Sequence, residues 1–366
     1  MNRILGMGKQ APLALSLAVA ILLLAALATL LAQTATAHEP TPDAGRHSYV
    51  WQTANTGLTN LSVRSMARDP VVTSTLYVET ERGGFKSTDN GRSWFLIRNN
   101  DPYYTWGMDM VFAPDDHDTL YLADLSMGVL KSTNGGATWT PKNSGLTGTS
   151  IRTLEIAATP PYTLFAGLSD QYSVAGGVFR STDGGDNWTL LGFEEEPIHA
   201  IAAHPVTPGL IYVGTWSGLV MSYDGGDHWT AHHPDITSDV TAFAIDPHQP
   251  NVVYAGTWGA GVFKTVDGGE NWEPVGGWSI SELVIDPAWP HPIYAAAAES
   301  VSASWDGGLT WEDLRCPGGY MSAIVLDGER PGGGVLVGAF DVYGPPGVYR
   351  GTWLRYSQYL PVVSRE

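Results

Sequence analysis

Cysteine is nearly absent from this sequence. Its 366 residues contain one cysteine, Cys316, so no intramolecular disulfide can form. Paired-cysteine zinc motifs are excluded for the same reason, and we expect Cys316 to be a buried, unreactive thiol. The fold must therefore be held together by packing rather than by covalent or metal cross-links.

Motifs for nucleophilic catalysis and for nucleotide binding are also missing. No nucleophile elbow, phosphate loop or dinucleotide motif occurs in the strand-to-helix context that it requires. The histidines are scattered, and the adjacent pair His232-His233 is typical of a solvated loop. We therefore expect no cofactor and no metal ion.

Basic residues are scarce. The chain has 19 Lys and Arg residues against 37 Asp and Glu residues, which gives a formal net charge of −18. Such a charge repels nucleic acids and anionic membranes, so neither is an expected partner. It suits an exported protein with a cationic partner or a neutral ligand such as a polysaccharide.

Apolar runs long enough to span a membrane are lacking after the N-terminus. Arg3 and Lys9 precede an apolar run over Ala11–Ala32, and the small-residue site Ala35-Thr36-Ala37 follows it. This arrangement predicts a secretory signal peptide over residues 1–37 and a linker over residues 38–47. An uncleaved membrane anchor is the alternative. Either way, we expect the bulk of the chain in the periplasm, at the cell surface or in the medium.

Sustained helical periodicity is missing, and what the sequence has instead is a repeat. The pattern Ser/Thr-x-Asp/Asn-x-Gly-x-x-Trp occurs six times, at intervals of 39 to 49 residues. We call these six segments the boxes. Their third positions are Asp89, Asn134, Asp183, Asp224, Asp267 and Asp306. A period near 40 residues is typical of propeller blades and solenoid units.

The segments around each box predict four short β-strands. One unit has an alternating apolar strand, a Pro-containing turn, a second strand such as VVYAGT, a third such as GVFKT, the box, and a fourth strand. Four antiparallel strands in a tandem unit indicate a β-propeller blade. The box then forms the hairpin between strands three and four. The Asp carboxylate and the Ser hydroxyl of the box accept hydrogen bonds from turn amides, and its Trp packs on a neighbouring unit. We therefore assign the box a structural role.

The blade count follows from the two ends of the repeat. The segment ending at Trp353 has the first three strands of a seventh unit but no box, and Tyr49–Thr53 resembles a fourth strand. We therefore predict an all-β, seven-bladed propeller over residues 48–356, closed by pairing of Tyr49–Thr53 with Val348–Arg350. Such pairing removes open sheet edges, and a monomer is expected. Residues 357–366 form a tail.

The boxes resemble the Asp-box, or bacterial neuraminidase repeat, of the β-propeller superfamily that carries it. In size and blade number the chain is most similar to the photosystem II assembly factor, and it also resembles sialidases, xyloglucan-cleaving enzymes and sortilin-type receptors. It departs from each of them. Sialidases have an Arg-Ile-Pro motif and three arginines, whereas this chain has only Arg64 and Arg152 in suitable strands. The xyloglucan-cleaving enzymes have two propellers, and the assembly factor has a basic patch that is not evident here.

A ligand site is expected at the end of the propeller opposite the boxes. The loops there, between strands two and three and between blades, combine acids with aromatic residues, a combination that suits a glycan or an extracytoplasmic protein partner. The candidate binding residues are Tyr103, Tyr104, Trp106, Tyr172, Trp216, Trp258, Trp278 and Tyr343. The primary hypothesis is an exported, non-catalytic binding scaffold.

Three carboxylates support an alternative hypothesis. Counted back from the turn that ends each inner strand, Asp109, Glu155 and Glu282 occupy equivalent positions in blades two, three and six. Glycosidases use two carboxylates about 5–5.5 Å or about 6.5–9.5 Å apart. The alternative is thus a glycoside hydrolase that acts on a neutral polysaccharide through these residues.

Overall fold

All regular elements of the computed structural model are β-strands. It describes residues 49–99, 106–160, 162–169, 175–288, 291–328, 334–342 and 344–353. The predicted signal peptide, linker and tail lie outside these ranges. Within them, no helix has the length and apolar character needed to cross a bilayer.

The first fourteen strands are β1 (Tyr49–Thr53), β2 (Val63–Arg68), β3 (Leu76–Thr80), β4 (Gly83–Ser87), β5 (Phe95–Asn99), β6 (Gly107–Ala113), β7 (Asp116–Asp124), β8 (Gly128–Ser132), β9 (Thr140–Pro141), β10 (Ile151–Ile156), β11 (Leu164–Ser169), β12 (Gly176–Ser181), β13 (Thr189–Gly192) and β14 (Ile198–Ala203). The others are β15 (Ile211–Thr215), β16 (Gly218–Ser222), β17 (Val240–Ile245), β18 (Val253–Thr257), β19 (Gly261–Thr265), β20 (Glu273–Gly276), β21 (Ile280–Ile285), β22 (Ile293–Ala297), β23 (Val301–Ser304), β24 (Glu312–Asp313), β25 (Tyr320–Leu326), β26 (Gly334–Phe340) and β27 (Gly347–Trp353).

The strands form seven antiparallel sheets, which are the seven blades. Blade one is β2 to β5, blade two β6 to β9, blade three β10 to β13, blade four β14 to β16, blade five β17 to β20 and blade six β21 to β24. In blade four the fourth segment is not a regular strand, although the amides of Thr230 and His233 donate to Met221 and Leu219 of β16. The predicted β-propeller architecture is confirmed.

Blade seven contains both ends of the repeat. Its strands are β25, β26, β27 and β1, so the last blade takes its outer strand from the start of the domain. Thr53 pairs with Tyr349 and Tyr49 pairs with Trp353. This is the closure that the sequence predicts.

The core lies between blades rather than in one central cluster. Each hydrophobic cluster combines residues from two adjacent sheets; for example, Tyr121 and Val129 of blade two pack with Ile151 and Leu164 of blade three. Alternating strand residues supply both faces of every blade. Cys316 is buried in the cluster between blades six and seven, as expected, and burial raises the pKa of its thiol to about 12.

Each box forms the hairpin between the third and fourth strands of its blade. In blade four the Ser222 hydroxyl accepts the Gly226 amide at 2.8 Å, and Asp224 Oδ1 accepts the His228 amide at 2.8 Å. Gly225 and Gly226 have φ angles of 79° and 96°, in the left-handed region that glycine adopts at low cost. The residue types of the box are therefore those that the turn requires.

The backbone carbonyls of the boxes also accept hydrogen bonds from neighbouring blades, a connection that the sequence did not predict. Gly135, in the box of blade two, has a carbonyl that accepts the Tyr77 hydroxyl at 2.9 Å and the Lys86 ammonium at 3.0 Å, both from blade one. Similar donors from the preceding blade reach the carbonyls of Gly184, Gly225, Gly268 and Gly307. At the closure, Arg350 of blade seven donates to the carbonyl of Asn90 in the box of blade one.

Candidate functional site

The site is a cavity of about 640 Å³ at one mouth of the central channel. Its wall includes Asp239 and Tyr320, which lie where one blade passes into the next, and Trp258, from the loop between strands two and three of blade five. In an antiparallel blade these two kinds of connection lie at the same end, and the box hairpins lie at the other. The cavity is therefore on the face opposite the boxes.

A β-bulge at the start of every inner strand builds the cavity wall. The register of the inner pair shifts after the first strand residue in six blades and after the second in blade seven. A bulge adds one unpaired residue and redirects its side chain. The seven extra residues all line the cavity, and they are Arg64, Met108, Arg152, His199, Thr241, Ser281 and Ser322. We call them the bulge ring.

The bulge ring carries the basic side chains of the site. Arg64 pairs with Glu81 at 2.7 Å and lies over the Phe340 ring, with its guanidinium carbon 3.7 Å from the ring centre. His199 Nδ1 lies 2.5 Å from Asp239 Oδ1. Arg152 has no hydrogen bond and no ion pair to any residue that the structure describes.

Burial of the Arg152 guanidinium lowers its pKa. The carboxylate of Asp239 and the hydroxyl of Tyr320 act in the opposite direction, and the charge of Arg64 adds to the lowering. Arg152 is thus a desolvated cation that faces the cavity without a bonded counter-ion among the described residues.

An aromatic platform flanks these cations. The Trp258 and Tyr320 rings are stacked, with centroids 6.1 Å apart and planes at 29°. Trp258 is 48% exposed, so one ring face remains available at the cavity wall. Trp106 lies next to the cavity, where the guanidinium carbon of Arg64 is 4.7 Å from its ring centre.

The structure separates aromatic residues that sequence analysis grouped together. Trp216 and Trp258 follow the second strands of consecutive blades, yet only Trp258 lines the cavity. Trp216 is exposed outside it, and Trp278 packs edge-on against Trp311 of the box in blade six. The other four candidates, Tyr103, Tyr104, Tyr172 and Tyr343, lie outside the described residues.

The three candidate carboxylates are not at equivalent positions, and the predicted equivalence of Glu155 is wrong. Asp109 and Glu282 both follow the bulge and line the cavity. The residue at that position in blade three is Thr153, and Glu155 lies two residues further along β10, level with Val111 of blade two. The position of Glu155 was counted back from the proline in the turn that follows the inner strand. In the turn after β10 this proline lies two residues further from the strand than in the turn after β2, so the count reached the wrong residue.

Each of these carboxylates bridges two blades. Asp109 Oδ2 accepts the Leu154 amide at 2.9 Å, Glu155 Oε1 accepts the Ala203 amide at 3.0 Å, and Glu282 Oε2 accepts the Ile324 amide at 3.0 Å. In all three cases the donor belongs to the inner strand of the next blade. The carboxylates therefore have a structural role whatever else they do.

Burial is the largest cause of the raised pKa values of these three carboxyl groups. It raises the pKa of Glu155 and of Glu282 to about 8, against the opposing effect of the amide that each accepts. It also raises the pKa of Asp109. At neutral pH both glutamates are mainly protonated, so they contribute little negative charge to the channel.

Other acidic side chains at this end of the propeller form ion pairs with arginines. Glu79 is buried and pairs with Arg98 at 2.5 Å, and Arg98 also lies 3.4 Å from Asp124. With Glu81 held by Arg64, the mouth is less negative than the composition implies. No group of three or more His, Cys, Asp or Glu side chains within the described ranges is arranged to hold a metal ion.

Sequence reasoning missed Arg152, His199 and Asp239 as members of one site. Arg64 and Arg152 were visible in inner strands, but a bulge has no residue signature of its own, so their shared orientation could not be read from the sequence. The one available signal was the position itself, which follows a buried Val, Ile or Met near the start of six of the seven inner strands.

Comparisons with known proteins support the fold. No family model matches the chain, and no curated protein matches it. Among solved structures, a GH74 xyloglucanase from Xanthomonas campestris is 18% identical with a TM-score of 0.64, over 84% of this chain and 54% of that one. YCF48 from Cyanidioschyzon merolae is 17% identical with a TM-score of 0.58, over 82% of this chain and 98% of that one.

A third similar structure is the extracellular domain of a hybrid two-component system of B. thetaiotaomicron. It is 13% identical with a TM-score of 0.62, over 83% of this chain and 42% of that one. This chain spans about half the length of the GH74 enzymes that it matches. At these identities the similarity shows the propeller fold.

Proposed function

We propose that this chain is an extracytoplasmic, non-catalytic binding propeller whose ligand occupies the channel mouth. The ligand is a glycan or a segment of a partner protein. In this proposal the N-terminal 37 residues act as the export signal. The face that carries the boxes has a structural role and binds no ligand.

The exposed face of Trp258 at the cavity wall carries the proposal. A large indole surface costs free energy when it is left in water, and here the stacked ring of Tyr320 holds it in place beside charged and polar groups. A flat apolar face next to hydrogen-bonding groups matches the two surfaces of a pyranose ring. An extended peptide also fits such a surface, but it has no flat ring that covers the indole face.

The similar structures are consistent with both kinds of ligand. One is a xyloglucanase, one is YCF48 bound to a D1 peptide, and one is the extracellular domain of a sensor. A bound peptide is named in one of these descriptions and an enzyme that acts on a glycan in another.

The test is a glycan and peptide array, followed by titration of the best ligand against two variants. Trp258→Ala removes the cavity-wall platform and should weaken binding roughly tenfold or more. Trp216→Ala is the matched control, because it removes an exposed tryptophan from the corresponding loop of the neighbouring blade, outside the cavity. Equal affinity of both variants and the unmodified protein would contradict the proposed site.

Glycoside hydrolysis is the second candidate, and Glu282 is the observation that favours it. A carboxyl group that keeps its proton at neutral pH is what a general acid requires, and Glu282 shares the cavity with Asp109. Against this, both side chains already accept a main-chain amide from the next blade.

Release of reducing ends from a panel of neutral polysaccharides tests this candidate. Turnover that is lost in Glu282→Gln and in Asp109→Asn, with folding intact, would establish it. No turnover on any polysaccharide would leave the binding proposal alone.

A further inference from the structure

The bulge ring has two unlike halves. In blades five to seven its members are Thr241, Ser281 and Ser322. Each hydroxyl donates to a carbonyl at the start of the next inner strand, at 2.5 to 2.7 Å. These residues are used to join blades. In blades one to four the members are long side chains that extend into the cavity instead.

Of the long side chains, two have ionic partners. Arg64 is held by Glu81, and His199 is held by Asp239. Met108, between the two arginines, is apolar. Arg152 is the cation of the ring for which no partner occurs among the described residues, although Asp239 is close enough to influence it.

A buried guanidinium without a hydrogen-bonded counter-ion costs stability. Removal of a charge from water is unfavourable by several kcal/mol unless an opposite charge and hydrogen bonds replace the lost hydration, and a guanidinium has five N–H donors to satisfy. A ligand anion in the cavity would supply both. A planar carboxylate fits best, because it accepts two parallel N–H bonds from one guanidinium.

The surroundings favour an anion in spite of the acidic composition of the chain. Of the three carboxyl groups of the cavity wall, Asp109 and Glu282 have raised pKa values, and that of Glu282 reaches about 8. Glu81 is paired with the Arg64 guanidinium, and Asp239 Oδ1 lies beside His199 Nδ1. Arg152 is therefore the basic group of the cavity wall that has no hydrogen-bonded carboxylate among the described residues.

We infer that the channel mouth binds an acidic glycan, with a uronate carboxylate on Arg152 and the sugar ring against Trp258. The inference rests on the proposed function and narrows it, because it replaces a neutral glycan with one that carries a carboxylate. A polypeptide with a free C-terminal carboxylate is the competing ligand. The aromatic platform on the same cavity wall favours the sugar.

The test compares matched ligand pairs by calorimetric titration. The sugar pair is a disaccharide ending in glucuronic acid and its glucose-terminated counterpart, and the peptide pair is a tripeptide with a free or an amidated C-terminus. We expect the uronate to bind roughly 10- to 100-fold more tightly than the neutral sugar, which is the range for a charge-assisted, bidentate contact.

Arg152→Met should abolish that preference, so that the uronate and the neutral sugar bind with equal affinity. The substitution is compatible with the fold, since Met108 occupies the same position in the adjacent blade. Lys142→Met is the matched control. It makes the same change of charge at a lysine that pairs with Asp186 of a box, on the opposite face, and should keep the preference.

The outcomes separate the inference from the proposed function. If uronate and neutral sugar bind equally, or the preference survives in Arg152→Met, the inference is overturned. The proposed function still stands in that case if Trp258→Ala weakens both sugars. If neither sugar binds but the free-acid peptide does, and this depends on Arg152, the ligand is a polypeptide and the glycan assignment is wrong. If no ligand of either pair binds, the proposed site fails as a whole.

Discussion

Replacement of Glu282 by Gln should stabilise this protein at alkaline pH and leave it nearly unchanged at pH 5. Glu282 Oε2 accepts the Ile324 amide, and the amide oxygen of Gln can accept the same bond. Gln therefore reproduces the protonated form of the glutamate without its ability to ionise. The substitution tests whether the blade-bridging carboxyls are neutral in the folded state.

The sign follows from proton linkage. The folded-state pKa of Glu282 is raised from its ordinary value of 4.5 to about 8, because burial disfavours the charged form. Between these values the folded protein holds a proton that the unfolded chain has released, so its stability falls as pH rises. At about 1.4 kcal/mol per pH unit the loss could reach about 5 kcal/mol. Since the channel is open to solvent, which screens the ionised carboxylate, we expect about 2 kcal/mol.

The assay is urea unfolding of both proteins at half-unit steps from pH 5 to pH 9. The difference in unfolding free energy between Glu282→Gln and the unmodified protein should be near zero at pH 5 and should rise to a plateau above pH 8. Glu155→Gln should behave in the same way, because burial raises its pKa equally. Glu273→Gln, on the exposed start of β20, controls for loss of a surface charge. A flat difference for Glu282→Gln would refute the protonation assigned here.

Three further predictions concern the boxes, the blade connections and the bulge ring. Asp267→Ala should cost about 1 kcal/mol at pH 7, since its carboxylate accepts three hydrogen bonds within the box. Those bonds lower its pKa to about 2, so the cost should vanish in urea titrations as the pH falls from about 4 towards 2. Tyr212→Phe should lower the unfolding free energy by about 1–2 kcal/mol, and by more than Tyr254→Phe. The reason is that Lys264 still donates to the same carbonyl as Tyr254, and calorimetric Tm values would show the difference. Arg152→Met should raise Tm, because it removes a desolvated charge without a bonded partner, and an unchanged or lower Tm would speak against that environment.

The blade architecture could be predicted because short local sequence patterns specify it and these patterns repeat along the chain. The Asp and Gly residues of a box such as SYDGGDHW specify a turn by their own backbone preferences, and six copies fix the period. The closure was predictable as well, since the N-terminal strand matches the outer strands that follow a box. Each of these signals lies within a few residues of the feature that it predicts.

The site depends on contacts between residues of different blades, and the sequence of a single repeat does not specify such contacts. The count from Pro to Glu155 failed because one turn is longer than its counterparts, and only the strand register reveals this. Trp216 and Trp258 have the same local sequence context, yet among the described residues the ring of Tyr320, from blade seven, stacks on Trp258 and not on Trp216. The bulges that turn Arg152 into the channel arise from pairing with the second strand. Sequence patterns therefore identified the face that carries the cavity but not the residues that form it.

A crystal structure with the best array ligand is the most direct test of the claim that function resides at the channel mouth. We expect ligand density inside the cavity, against Trp258 and within hydrogen-bond distance of the Arg152 guanidinium. Density on the box face, or on the outer strands with the cavity empty, would contradict it.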